Sequence, residues 1–275
     1  MKLHDWCVLF LFSTFISCSD DTISRQELLL KPNPKSISTD IGRKKNPDFI
    51  PDTQTLALSS TQTLSYQELD SHTVFVYGNS QFVTSAVGGG YGIIDQNSRN
   101  LTAYLIKTFG DHFHVIIVFH TFPDLAQISS AAYYSSIFND TEGIGIERMN
   151  GRKGWGSNPV TGMLDGYVNM NNLDRYGDSI DNLSSSVYSV LGQEITHRFL
   201  AFLTYKDAQG NISEKMLGRD GSHWSVPLQS YGSVMDGILY EEVSETEFRV
   251  MGRENNFSPL DEYAMGLREP KDVES

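Results

Sequence analysis

Gln193, Glu194 and His197 stand together in an apolar stretch, and their spacing is the part of this chain that could do chemistry. At about 100° per residue, positions 193 and 197 lie one helical turn apart, so their side chains can converge on one point. Two donors at i and i+4 with a carboxylate beside them have the layout of a metal-binding helix. Tyr188, Leu191, Ile195, Phe199 and Phe202 fall on the other face and predict its core contact. Val190 and Leu200 share the face of Gln193 and His197, which predicts that something covers that face too. The expected helix spans roughly 185–204, and a serine in the polar stretch 178–186 is expected to cap it. The alternative for His197 is a buried imidazole that hydrogen-bonds a neighbour and holds the helix in place.

A second group follows. His223 stands in Gly218-Arg219-Asp220-Gly221-Ser222-His223-Trp224-Ser225, where a loop can carry an imidazole inward over a helix face. Ser233-Val234-Met235-Asp236-Gly237 comes next. In this order the pieces resemble the metzincin-type zinc peptidases. Those have a His-Glu-x-x-His helix, a third His further along, and a tight turn with Met beneath the metal. Gln193 replaces the first His of that motif, and the gap from His197 to His223 is longer than in metzincins proper. The resemblance, over roughly 165–240, is therefore zincin-like. It implies zinc held by His197 and His223, with Gln193 as a third ligand through its amide oxygen and Glu194 as general base for a metal-activated water. Asp220 or Asp236 could complete the set in place of Gln193. In a third version the metal is lost and the same cleft binds a peptide or polymer. No Gly-x-Ser-x-Gly elbow offers a serine nucleophile instead.

The elements that must position these residues are expected as an α+β fold: a zincin-like mixed, twisted sheet with the long active-site helix as the floor of a cleft. The run 113–119 is apolar throughout and suits a central strand covered on both faces. Residues 73–77, 143–146 and 166–170 read as further strands, and Asn100 as the cap of a helix reaching 106 or 109. Residues 165–170 are the candidate for the edge strand that, in zinc peptidases, runs over the metal and pairs with an extended substrate. Tyr133 and Tyr134 read as surface. His112, His114 and His120 flank the central run and read as structural. Asp207 to Asn211 reads as a tight turn between two strands. Ser258-Pro259 opens a short helix that Gly266 stops, with Leu260, Tyr263, Ala264 and Leu267 facing the core and Asp261 a candidate outer partner for a ligand histidine. The stretch 113–267 also resembles a broader group of uncharacterised exported bacterial proteins, which implies one cooperative unit.

Composition bounds the rest. Of 275 residues, 39% are apolar and 11% aromatic, enough for a sizeable core. A net charge of −13 argues against a nucleic-acid partner, whose phosphates require a basic face. Residues 6–16 form an apolar run too short for an ordinary membrane span, followed by Phe15-Ile16-Ser17-Cys18. That box resembles the bacterial lipoprotein cleavage site. It implies a signal peptide over 1–18, a lipid anchor on Cys18, a flexible tether over 19–65 and a zincin-like domain over 66–275. The alternative is ordinary cleavage and a secreted product. The second cysteine, Cys7, would leave with the leader, so the exported domain would carry no cysteine beyond Cys18. The expected protein is an exported, lipid-anchored zinc peptidase of the bacterial cell envelope acting on peptides or proteins. Its rival is a catalytically inactive surface protein of the same fold.

Overall fold

The computed structural model describes residues 5–12, 64–69, 72–78, 84–85, 91–92, 95–121, 132–138, 153–158, 161–176, 186–200, 203–218, 221–252 and 256–273. Residues 19–63 of the expected tether, Cys18, Asp220 and the proposed strand 143–146 lie outside them; the last two tether residues, Leu64 and Ser65, instead begin a paired strand. The fold is α+β. Its main sheet contains β1 (Asp5–Phe12), β2 (Leu64–Glu68), β3 (Thr73–Gly78), β6 (Val115–His120), β7 (Tyr133–Ser136) and β8 (Gly166–Asn172), in the order β2-β3-β1-β6-β8-β7; the short strands β4 (Thr84–Ser85) and β5 (Tyr91–Gly92) pair apart from it.

β6 is central, as its unbroken apolar run predicts. Its even positions, Ile116 and Val118, join Val74, Val76, Trp155, Tyr167 and the Leu101 and Leu105 of α1 (Asp95–Phe109). Its odd positions, Val115, Ile117 and Phe119, join Val168, Met170 and Tyr176 on the other face. There they meet Val187, Val190, Leu191 and Ile195 of α2 (Val187–Thr196). Strand alternation thus feeds two cores from one strand. At the end of β6, His120 is fully buried, and burial pushes its imidazole down to about 3, so it is neutral at ordinary pH.

Three expectations about the elements change. First, α1 begins at Asp95; Asn100 lies inside it and its side chain accepts from Gln96 instead of capping the helix. Second, β8 is not an edge. It pairs with β6 in parallel and with β7 antiparallel, so among the described residues the edge on that side is β7, which carries Tyr133 and Tyr134. Third, α2 has ten residues and ends at Thr196, far short of 204. Ser186 caps its start, as expected, by accepting from the Ser189 amide. At its end the Thr196 hydroxyl donates to the Gln193 carbonyl, and the Arg198 and Phe199 amides close three-residue turns onto Ile195 and Thr196. The buried face also turns: Val190 packs on the sheet, while Tyr188 is 66% exposed.

The apolar run expected as the signal core supplies β1, antiparallel to both β3 and β6. A hydrophobic leader and an inner strand draw on the same residue types, so the run suits either use. Among the described residues no helix is long and apolar enough to cross a membrane.

Beyond α2 the chain builds a third core from Leu200, Leu203, Trp224, Val234, Met235 and Ala264, with Leu260 and Tyr263 against it. The turn at Asp207 forms as expected between β9 (Tyr205–Lys206) and β10 (Ile212–Ser213). The Asp207 carboxylate accepts from the Asn211 and Gln209 amides, and these bonds hold its pKa below the usual value. Next comes a hairpin, β11 (Leu239–Ser244) with β12 (Glu247–Gly252). The last helix, α3 (Pro259–Ala264), has the predicted Ser258 cap and Pro259 start, and Gly266 ends it at φ +77°. Leu267, expected inside, is 58% exposed because the chain has already turned away there.

Candidate functional site

The C-terminal end of α2 presents Gln193 and His197 on one face. His197 is the C-cap, and its amide still bonds the Gln193 carbonyl at 3.3 Å, so the one-turn spacing survives where the helix stops. The third member comes from the loop after β10. Leu217 and Trp224 form a bridge there, the Gly218 amide donates to the His223 carbonyl at 2.8 Å, and the Ser225 amide to the Met216 carbonyl at 2.7 Å. Position 218 must be glycine: a Cβ there would lie 2.4 Å from the Trp224 carbonyl oxygen. This closure sets His223 over the helix end. Its Nε2 lies 3.2 Å from Gln193 Nε2, and its ring meets the His197 ring edge-on at 4.8 Å between centroids.

Met235 is fully buried against the end of α2. The Thr196 hydroxyl lies 2.9 Å from its sulfur, the Met235 amide donates to Ser233 Oγ, and its carbonyl accepts from the Trp224 amide at 2.8 Å. The tight turn expected at Ser233-Val234-Met235 therefore exists and touches both the helix end and the His223 loop. Residues Asp236 and Gly237, at φ +73° and +86°, complete the reversal.

These distances allow a direct test of fit. Two nitrogens on a tetrahedral zinc, each about 2.05 Å from it, stand about 3.3 Å apart. Gln193 Nε2 and His223 Nε2 stand at 3.2 Å, and the amide would have to turn to put its oxygen, the ligating atom, in that place. Two imidazoles sharing such an ion have ring centres roughly 5 Å apart, by the same bond lengths, and His197 and His223 stand at 4.8 Å. Gln193, His197 and His223 therefore stand together, at distances that a hydrogen bond and an edge-on ring pair also have. Among the described residues no three His, Cys, Asp or Glu side chains form a group that could hold a metal. Asp236 thus does not join His197 and His223, which corrects that alternative; its left-handed backbone belongs to the turn. Glu194 does not join them either. It is buried, and its charge helps to raise the Tyr176 phenol, whose main cause is burial.

Tyr133 and Tyr134, expected at the surface, are both partly buried because β7 is packed in the sheet. Tyr134 of β7 lies over His197, with ring centroids 6.4 Å apart and 23° between planes, and its hydroxyl donates to the Asp165 carbonyl at 3.1 Å. Gly166 makes room for that ring, because a Cβ there would lie 2.3 Å from it. Burial raises the Tyr134 phenol, Arg198 opposes the shift and Asp165 adds to it, so the ring stays neutral. Arg198, next to His197, is buried and pairs with buried Asp165 at 3.5 Å; His114 reaches the same carboxylate at 3.3 Å. The Arg198–Asp165 pairing spans 33 positions and has no signal in the sequence.

Asp261 was expected behind a ligand histidine. It accepts instead from Trp224 Nε1 at 2.7 Å, one residue beyond His223.

No protein-family model, no curated protein and no solved structure matches the chain.

Proposed function

We propose that the chain is an exported, lipid-anchored zinc peptidase with a zincin-like architecture. His197, His223 and Gln193 hold the ion and Glu194 serves as general base. One observation supports the reading: three residues picked out by their resemblance to a zinc motif, from a helix and a loop 26 positions apart, stand together beside the turn that carries buried Met235. Zinc, when bound, would lower the pKa of a water to about 7 and polarise a peptide carbonyl. The chain's own residues would do the rest. Glu194, buried and one residue on from Gln193 in α2, would take the proton from the attacking water and pass it to the leaving amine. The backbone of β7 is the edge beside α2, and an extended peptide would pair with it as an added strand. Tyr134 would fix the plane of His197 by stacking, and the Asp165–Arg198 pair would hold Tyr134.

A specific observation favours the rival, a metal-free binding protein of the same fold. The Gln193 amide satisfies His223 Nε2 by itself, either by donating to it or, with the amide turned, by accepting from it. The two readings differ in turnover. Purified protein loaded with zinc should cleave a denatured protein substrate, and a chelator should stop it. Glu194→Gln should keep its zinc and lose about 10²–10⁴-fold in kcat, the usual worth of a general base. Zinc-loaded wild type that binds the substrate without cleaving it would establish the binding protein instead.

A further inference from the structure

We propose that Asp261, acting through Trp224, is the residue that positions His223 in the site; this rests on the zinc-site reading above and extends it. Asp261 is fully buried at the start of α3. One carboxylate oxygen accepts from Trp224 Nε1 at 2.7 Å; the other accepts from the Ser258 amide at 2.7 Å, and the Ser233 side chain also bonds the group. A single carboxylate therefore ties the loop that carries His223, the turn that carries Met235, and the cap of the last helix. Trp224 is fully buried and adjacent to His223, and its backbone is held by Met235, so its indole has one orientation. Fixing that ring fixes the chain direction at the preceding residue. Burial raises the Asp261 carboxyl above its ordinary value, and the bonds from Trp224, Ser258 and Ser233 oppose that shift. Residues that orient a ligand without touching the ion typically change metal affinity about 10–100-fold when altered.

The test separates positioning from capping. Trp224→Phe removes the indole donor and leaves the helix cap intact. Ser258→Ala breaks the capping box and leaves the Trp224–Asp261 bond intact. Zinc affinity of the full-length protein should fall about 10–100-fold in Trp224→Phe and stay within about twofold of wild type in Ser258→Ala, although the latter unfolds at a lower temperature. Asp261→Asn, which keeps an oxygen for the indole, should retain more affinity than Asp261→Ala. The His223 ring resonances give a second readout that needs no metal: they should shift and broaden in Trp224→Phe and stay in place in Ser258→Ala. If wild type binds no zinc, the zinc reading fails and the resonances alone judge the positioning. Equal effects of Trp224→Phe and Ser258→Ala, or no effect of Trp224→Phe on the His223 ring, overturn it.

Discussion

A chain that begins at Ser19 should fold as cooperatively as the full-length chain, although it lacks an inner strand of the sheet. The lipoprotein proposal requires this, because cleavage before Cys18 would remove β1. The topology makes it feasible. β1 runs antiparallel to β3 and antiparallel to β6, so β3 and β6 run parallel to each other. Val74 and Val76 of β3 already share a core with Ile116 and Val118 of β6 on the α1 face. Without β1, a lateral shift of about one strand spacing, roughly 4.8 Å, would bring β3 onto β6. The connection through α1 would then be a β-α-β crossover, the ordinary way of joining parallel neighbours. The measurement is thermal unfolding of the two chains, with lipid-precursor labelling of cells that express wild type or Cys18→Ser. A folded short chain and labelling lost in Cys18→Ser are expected. A short chain without cooperative unfolding would make 5–12 an integral strand, and equal labelling of both proteins would remove the lipid anchor from the proposal.

The second large effect is a gain. Gln193→His should bind zinc more tightly by at least about tenfold, equal to about 1.4 kcal/mol. In the wild type the amide lies 3.2 Å from His223 Nε2. To ligate through oxygen it must give up that hydrogen bond or turn, at a cost of about 1 kcal/mol. A neutral amide oxygen is also a poorer match than imidazole for a borderline-soft ion. The helix already directs position 193 at the site, so the substitution needs no change of backbone. His223 should remain necessary in the variant, and Gln193→His with Glu194→Gln should bind zinc and stay inert. Titration against a competing chelator measures the gain. Unchanged or weaker affinity in the single variant would place residue 193 away from the ion.

What could be read from the sequence, and what could not, divides along the range of the forces involved. The central strand, the Asp207 turn and the Ser258 cap were legible because each is decided within a few residues: an unbroken apolar run, a side chain bonding its own turn, a capping box. The proximity of Gln193, His197 and His223 was legible from spacing plus resemblance. The end of α2 was not. The residues 197–203 keep a helical apolar pattern, yet the Thr196 hydroxyl faces Met235 and the Gln193 carbonyl, and a contact across 39 positions helps to stop the helix. The edge strand was misplaced for a similar reason. Residues 166–172 have the composition of a strand in either setting, and only the return of residues 133–136 along their free side makes them internal. Asp261 went to Trp224 instead of a histidine because the indole, one residue on from His223, is the group whose donor faces the buried carboxylate.

The central claim is that Gln193, His197 and His223 form one metal site, and metal content tests it most directly. Wild type, His197→Ala and His223→Ala would each be refolded with excess zinc, freed of loose ion and analysed for bound metal. The account predicts close to one zinc per chain in wild type and a large loss in each variant, with all three proteins folded. Folded wild type that retains no zinc would contradict it, and the His223–Gln193 contact would then stand as a structural hydrogen bond.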